Sequence, residues 1–316
     1  MSTATRTRRP AARKSSAPKV DAYQVITDQV IALLEAGTAP WQKPWVSASG
    51  STGMPVNIAS KKVYRGANVF ILGMAAQVAG YSSPWWGTYD QIAKRGGQVL
   101  KGQTGTMIIF WTRIKIEDKV TGDEKTIPLL RTYKVFNAEQ AEGLSLPEFG
   151  SSSDETADGA DAVAEFDAAV AGYLADGPTL AHGASRAYYS PSRDHVQMPA
   201  RSDFRSTEGY YAALFHELTH STGHSDRLAR EGIVEGHSFG DALYSKEELI
   251  AEMGSAFLAG LTGMVVTPMA NSASYLKSWI TVLKGDTKLI IKAAGQAQRA
   301  TDLILGTTFE DEKEEN

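Results

Sequence analysis

The sequence predicts an α+β protein of two domains, on three observations. The N-terminal half mixes helical periodicities with strands suited to antiparallel pairing. The stretch Glu148 to Asp161, EFGSSSDETADGAD, is polar, acidic and Gly/Ser-containing, a linker by composition. Chemistry also divides at that stretch. Residues 1–147 hold 19 of the 32 Lys and Arg against 10 of the 36 Asp and Glu, a net of +9, which leaves −13 for the remainder. All six histidines lie beyond the divide, and five of the six tryptophans lie before it. At 316 residues the chain is long enough for two domains, each burying its own core. The expected boundaries are a basic arm (1–20), a first domain (21–147), a linker (148–161), a second domain (162–308) and an acidic, solvated tail (309–316).

Composition excludes several classes. No run approaches the roughly 18 apolar residues that span a bilayer, so no membrane association is expected. The arm is Arg/Ser/Ala/Pro-rich and lacks the apolar core of a secretory signal. Its basic, acid-free character is shared with transit peptides; a disordered arm on a cytoplasmic protein is the simpler reading. There are no cysteines, so a metal would be held by histidine and carboxylate.

In the first half, Asp21 can cap a helix whose apolar residues Tyr23, Ile26, Val30, Leu33 and Leu34 recur at helical spacing before Gly37. A second helix is expected from Asn68 to Ala79, stopping at Gly80. A short third begins at Thr88 and ends at Gly96-Gly97. Strands are expected at Gln98 to Leu100, Thr106 to Ile116 and Leu129 to Phe136, the last two joined by a turn around Thr121-Gly122-Asp123.

Basic residues interleave with aromatic ones here: Trp41, Lys43 and Trp45; Tyr64 and Arg65; Trp85; Trp111 and Arg113; Arg131 and Tyr133; and Lys101 beside the strands. Exposed rings stack unpaired bases while cations track phosphates, so these residues are candidate contacts to single-stranded DNA. The plainer alternative is that the rings are core and the cations solvated edges.

In the second half, Tyr210, Ala213, Leu214 and Leu218 mark a helix from Thr207 to Ser221 that contains His216-Glu217-Leu218-Thr219-His220. Two histidines four apart share a helix face, and both imidazoles can reach one Zn²⁺ at roughly 2.0–2.1 Å. Glu217 beside them can take a proton from the attacking water. Three candidates stand for the third ligand. Glu248 and Glu252 lie one turn apart on a later helix, Ser245 to Ala259. Glu248 is favoured as ligand, with Glu252 orienting a ligand histidine or taking the ligand role itself. Asp226 fits a His-x₃-His-x₅-Asp spacing, its alternative being a loop residue paired with Arg227. His224 would need a sharp turn. Tyr244 and His237 are candidate donors to a developing oxyanion.

Several blocks resemble ArdC-type antirestriction proteins. In the first half these are DAYQVITDQVIALLEAGTAPWQKPW from Asp21, YRGANV from Tyr64, GYSSPW from Gly80, GQVLKG from Gly97 and the Val135-Phe136-Asn137 segment. In the second they are the Tyr189-Ser190-Pro191-Ser192 segment with Asp194, the helix pentapeptide through Thr222-Gly223-His224, Arg227-Leu228, Tyr244, Glu247-Glu248-Leu249, Glu252, Tyr275 and Trp279. Ser221 departs from the pattern, where an aromatic is expected, and should loosen packing near the site. The resemblance implies a single-stranded-DNA-binding domain followed by a zincin-like metallopeptidase domain, carried by plasmids, phages and other mobile elements. Its implied role is protecting incoming DNA during transfer, with a host protein as the peptidase substrate. Two other readings are a DNA-binding module with a structural or inactive zinc site, and a protease that clears DNA-bound proteins.

Overall fold

The computed structural model describes residues 21–41, 54–117, 124–146, 159–235, 241–261 and 273–307. Lys43, Trp45, His237, the arm, the turn at 121–123, the tail and most of the expected linker lie outside these residues. The architecture is α+β. The first half contains α1 (Ala22–Glu35), β1 (Val56–Asn57), α2 (Ala67–Ala79), β2 (Trp85–Gly87), α3 (Tyr89–Lys94), β3 (Gln98–Val99), β4 (Thr106–Glu117), β5 (Glu124–Asn137) and β6 (Ala141–Glu142). The second contains α4 (Gly159–Ala175), β7 (Thr179–His182), β8 (Tyr188–Ser190), β9 (His195–Met198), α5 (Thr207–Ser221), α6 (Glu231–Val234), α7 (Ala242–Leu261), α8 (Ala273–Gly285) and α9 (Leu289–Ile304).

Local chemistry sets the element ends. The Asp21 carboxylate accepts from the Tyr23 amide at 3.0 Å, and Thr88 and Gln91 form a reciprocal capping box on α3. Gly80 closes α2 in the left-handed conformation, φ 74°. α4 begins at Gly159, inside the expected linker.

The first-half sheet has the order β1-β2-β5-β4. β1 and β2 are parallel, while β4 and β5 form a long antiparallel hairpin from Thr106↔Val135 to Glu117↔Glu124. Buried Asn68 of α2 serves β4 as a strand partner would. Its side chain donates to Ile109 O at 2.7 Å and accepts from Ile109 N at 2.9 Å. In the second half, β7, β9 and β8 form a small sheet in that order.

The expectation of a separate core in each half is corrected by the packing. The largest buried cluster joins Ile26, Val30 and Leu34 of α1 and Phe70 and Leu72 of α2 to Leu249, Met253 and Phe257 of α7, Leu283 of α8 and Ile290 of α9. Phe70 stacks on Phe257 with ring centroids 4.7 Å apart, and Arg65 pairs with Asp302 of α9 at 2.5 Å. A smaller cluster, with Phe166 of α4, Tyr211, Phe215 and Leu218 of α5 and Met198 of β9, backs the other side of the second half. α7 is therefore shared between clusters: Leu249, Met253 and Phe257 belong to the larger one, where Phe257 meets Phe70 of the first half, and Leu258 joins the α5 cluster.

The α5–α7 contact is close. A Cβ on Gly254 of α7 would come within 2.5 Å of Thr219 Cγ2, so only glycine allows this approach. The two helices that carry the His and Glu pairs are thereby held side by side.

Candidate metal centre

α5 is capped by Ser206, whose hydroxyl accepts from Gly209 N at 3.1 Å, and it is almost wholly buried from Tyr210 onward. On its inward face the ring nitrogens of His216 and His220 converge, Nε2 to Nε2 at 3.1 Å. Glu248 closes the set from α7, with Oε2 3.5 Å from His216 Nε2 and Oε1 3.5 Å from His220 Nε2. Ligands about 2.0–2.1 Å from a tetrahedral ion lie roughly 3.4 Å from one another. The two imidazole nitrogens and the Glu248 carboxylate lie near that spacing, one carboxylate oxygen toward each histidine. Both histidines are buried, which favours ligation over hydration.

Each histidine is backed at its other nitrogen by a carboxylate. Glu252 Oε1 lies 3.7 Å from His216 Nδ1, and Glu247 Oε1 lies 3.2 Å from His220 Nδ1. Electrostatics follow from this crowding. Burial alone would lower the His220 imidazole, but the carboxylates of Glu247 and Glu248 override it and push it up to about 10. Burial would raise Glu248, yet hydrogen bonds from His216 and His220 hold it far below the usual carboxylate range. Glu252 goes the other way, raised by burial and by the Glu248 charge.

Glu217 is buried on α5 between the two ligand histidines in sequence. Tyr244 pairs its hydroxyl with that of Tyr275, 2.9 Å away, and burial raises both phenols. His216, His220 and Glu248 are the group of metal-ligating side chains found among the described residues. Asp226 and His224 stand outside it. Asp226 is solvent-exposed and lies 3.7 Å from His224 Nδ1. Arg227 pairs not with Asp226 but with Asp194, and it donates to Ser221 O at the end of α5. Ser221 does not loosen the packing. It is fully buried, and its hydroxyl meets that of Tyr173 at 2.9 Å.

The expected DNA-contacting residues divide into two groups. Trp41, Tyr64 and Trp85 are core, with 2%, 7% and 6% exposure. Trp41 meets Trp279 edge-on at 5.2 Å. Tyr64 accepts from Asn57 Nδ2 at 3.0 Å, with its hydroxyl pushed up by burial to about 12. A buried ring offers no face to a base, so the plainer reading holds for these three. Arg65 is held against Asp302. Lys101, Arg131, Tyr133 and Trp111 are exposed, Trp111 at 53%. Arg113 lies on β4 opposite Pro128. Phe110, 44% exposed and missed in the sequence, faces Arg131 across the hairpin and meets Tyr133 edge-on at 5.8 Å. The signal for Phe110 is its cross-strand pairing with Arg131 in a hairpin of matched strands.

Known proteins place this arrangement. Residues 20–136 match the N-terminal domain of anti-restriction factor ArdC, and residues 167–296 match a zincin-like metallopeptidase family. The crystal structure of the antirestriction protein ArdC from plasmid R388 superposes with a TM-score of 0.72. It is 40% identical to this chain and covers 90% of it and 97% of its own length in the metal-free form. A Mn(II)-bound form of that protein matches at the same TM-score with 38% identity, covering 91% of this chain and 98% of its own. The uncharacterized protein y4eC of Sinorhizobium fredii is 37% identical, covering 89% of this chain and 91% of its own length. A DNA primase TraC of Escherichia coli is 34% identical over 91% of this chain, which spans only 20% of that primase. His216, His220 and Glu248 are grouped closely enough to hold a metal ion in a zincin-like half joined to an ArdC-type half, and the chain belongs to the ArdC antirestriction family.

Proposed function

We propose that this protein binds single-stranded DNA through its first half and uses Zn²⁺ in its second as a metallopeptidase, protecting DNA that enters a cell during transfer. The observation that carries the peptidase reading is the donor set itself. Two buried histidines and a partly buried glutamate converge, three protein donors rather than four, and the acid Glu217 follows the first histidine in sequence. Structural zinc sites are closed by four protein ligands. This favours a catalytic over a purely structural centre.

When bound, the ion supplies Lewis-acid polarisation and water activation. His216, His220 and Glu248 hold it. Glu217 accepts the proton of the attacking water and later returns it to the leaving amine. The paired hydroxyls of Tyr244 and Tyr275 are donors for the oxyanion, on the helix of Glu248 and the helix after it.

For DNA, the exposed hairpin face with Phe110, Arg131 and Tyr133 offers rings for stacking beside a cation, and Trp111 offers another ring on the reverse face. The kinship with an antirestriction protein and with DNA primases supports DNA as the partner. A host protein is the natural peptide substrate, and the cytoplasm the natural site of action.

Two measurements test this reading. Glu217→Gln should keep the metal and lose peptide hydrolysis; protection of transferred DNA that survives this change unaltered would remove the peptidase from the mechanism. Binding should fall steeply with salt and prefer single over double strands, and equal affinity for both would sink the DNA assignment.

A further inference from the structure

Behind His220 lies a charged cluster that no role has yet absorbed. Glu247 of α7 is almost fully buried. Its Oε1 lies 3.2 Å from His220 Nδ1. Arg230, also buried, clasps the same carboxylate with Nη2 at 2.6 Å from Oε1 and Nε at 3.0 Å from Oε2. The guanidinium also donates to Thr222 Oγ1 at 2.6 Å and to the carbonyls of Thr219 at 2.7 Å and His220 at 3.3 Å. Those carbonyls belong to the last turn of α5, where Thr219 O also accepts from the Thr222 hydroxyl at 2.6 Å and His220 O from Gly223 N at 2.9 Å. One arginine thus ties the end of the ligand helix to a glutamate on the facing helix. Space is reserved for the clasp: a Cβ on Gly232 would come within 2.9 Å of Glu247 Cβ.

We propose that Glu247 is a positioning residue of the metal centre, and that Arg230 fixes Glu247 in place. A carboxylate only accepts, so the His220 ring must present Nδ1–H to Glu247. That choice leaves the Nε2 lone pair on the side of His216 Nε2 and Glu248, free to hold an ion. Glu248 and Glu252 follow the i, i+4 face of α7. Glu247 is turned away by one residue, and reaches the second histidine from its far side. His220 is therefore held at both nitrogens and along its backbone, whereas the Nδ1 of His216 meets Glu252 at the longer 3.7 Å. The proposal rests on His216, His220 and Glu248 being the metal site.

A purely structural alternative is that Glu247 and Arg230 only stitch α6 and α7 to α5. Removing one partner of a buried pair destabilises a fold whatever else the pair does. Two variants separate these roles, read by zinc affinity from competition with a chromophoric chelator, by the visible spectrum of the cobalt form, and by thermal unfolding of the metal-free protein. Glu247→Gln should weaken zinc binding about ten- to a hundred-fold and shift the cobalt bands. Glu247→Gln combined with Arg230→Met removes both charges, so it should regain stability in the metal-free form while zinc binding stays weak. Wild-type affinity in the single variant, or affinity that returns together with stability in the double variant, would overturn the proposal. Nitrogen-15 spectra of the unaltered zinc protein decide the case even where a variant does not fold. They should show His220 protonated at Nδ1 and metal-bound at Nε2, and the opposite arrangement would overturn it. A wild-type protein that takes up no zinc would instead sink the metal site on which the proposal stands.

Discussion

At His220, burial and neighbouring charge pull in opposite directions, and the carboxylates win: the imidazole rises to about 10 in the metal-free protein. A pKa raised on folding stabilises the protein below the unfolded value near 6.5, and that stabilisation is lost as pH rises through about 10. Near neutral pH the ring therefore holds a proton that the metal must displace. Calorimetry of zinc binding at pH 7, in buffers of different ionisation enthalpy, should reveal proton release, from His220 and from His216, which its neighbouring carboxylates also raise. Heats that do not depend on the buffer would contradict this. The two glutamates of α7 should separate equally well. Glu248→Ala removes a ligand and should abolish stoichiometric zinc. Glu252→Ala should leave zinc bound about ten- to a hundred-fold more weakly. The reverse result in a chelator competition would exchange their roles.

At the scale of elements, the centre depends on how closely α5 and α7 approach. Gly254→Ala places a methyl group 2.5 Å from Thr219 Cγ2. It should cost about 1–3 kcal/mol and weaken zinc binding, because the histidines and Glu248 ride on the two helices being pushed apart. Gly295→Ala in α9, with nothing within 4 Å of the new methyl, should be neutral or slightly stabilising in the same melting assay. Equal effects would mean that helix propensity, not contact, governs both sites. These elements also mark what was legible in sequence. α5 was readable from its apolar periodicity, and the Glu248/Glu252 pair from helical spacing. β7, β8 and β9 were not, being three or four residues long and defined by pairing rather than pattern. Glu247 escaped because its place beside His220 depends on how α7 is rotated against α5. Trp41, Tyr64 and Trp85 were misplaced because aromatic side chains next to cations look alike in a core and on a binding face; only tertiary packing separates them.

Across the whole molecule, the charge divide and the Gly/Ser-containing stretch suggest two cores, yet α1 packs on α8, α2 packs on α9, and Phe70 of α2 stacks on Phe257 of α7. Composition registers a boundary in the chain but not the faces that meet across space. Scanning calorimetry should accordingly give one cooperative transition for both halves, and two independent transitions would contradict the shared core. A fragment lacking residues 1–147 would strip Phe257 of the metal-bearing helix of its Phe70 partner and uncover α8 and α9, and should be less stable in zinc binding as well as in folding.

His216, His220 and Glu248 are proposed to hold one ion. Elemental analysis of the purified protein, alongside Glu248→Ala and Asp226→Ala, tests it most directly. The account predicts one zinc per chain in the wild type and in Asp226→Ala and none in Glu248→Ala; zinc retained by Glu248→Ala but lost from Asp226→Ala would contradict it.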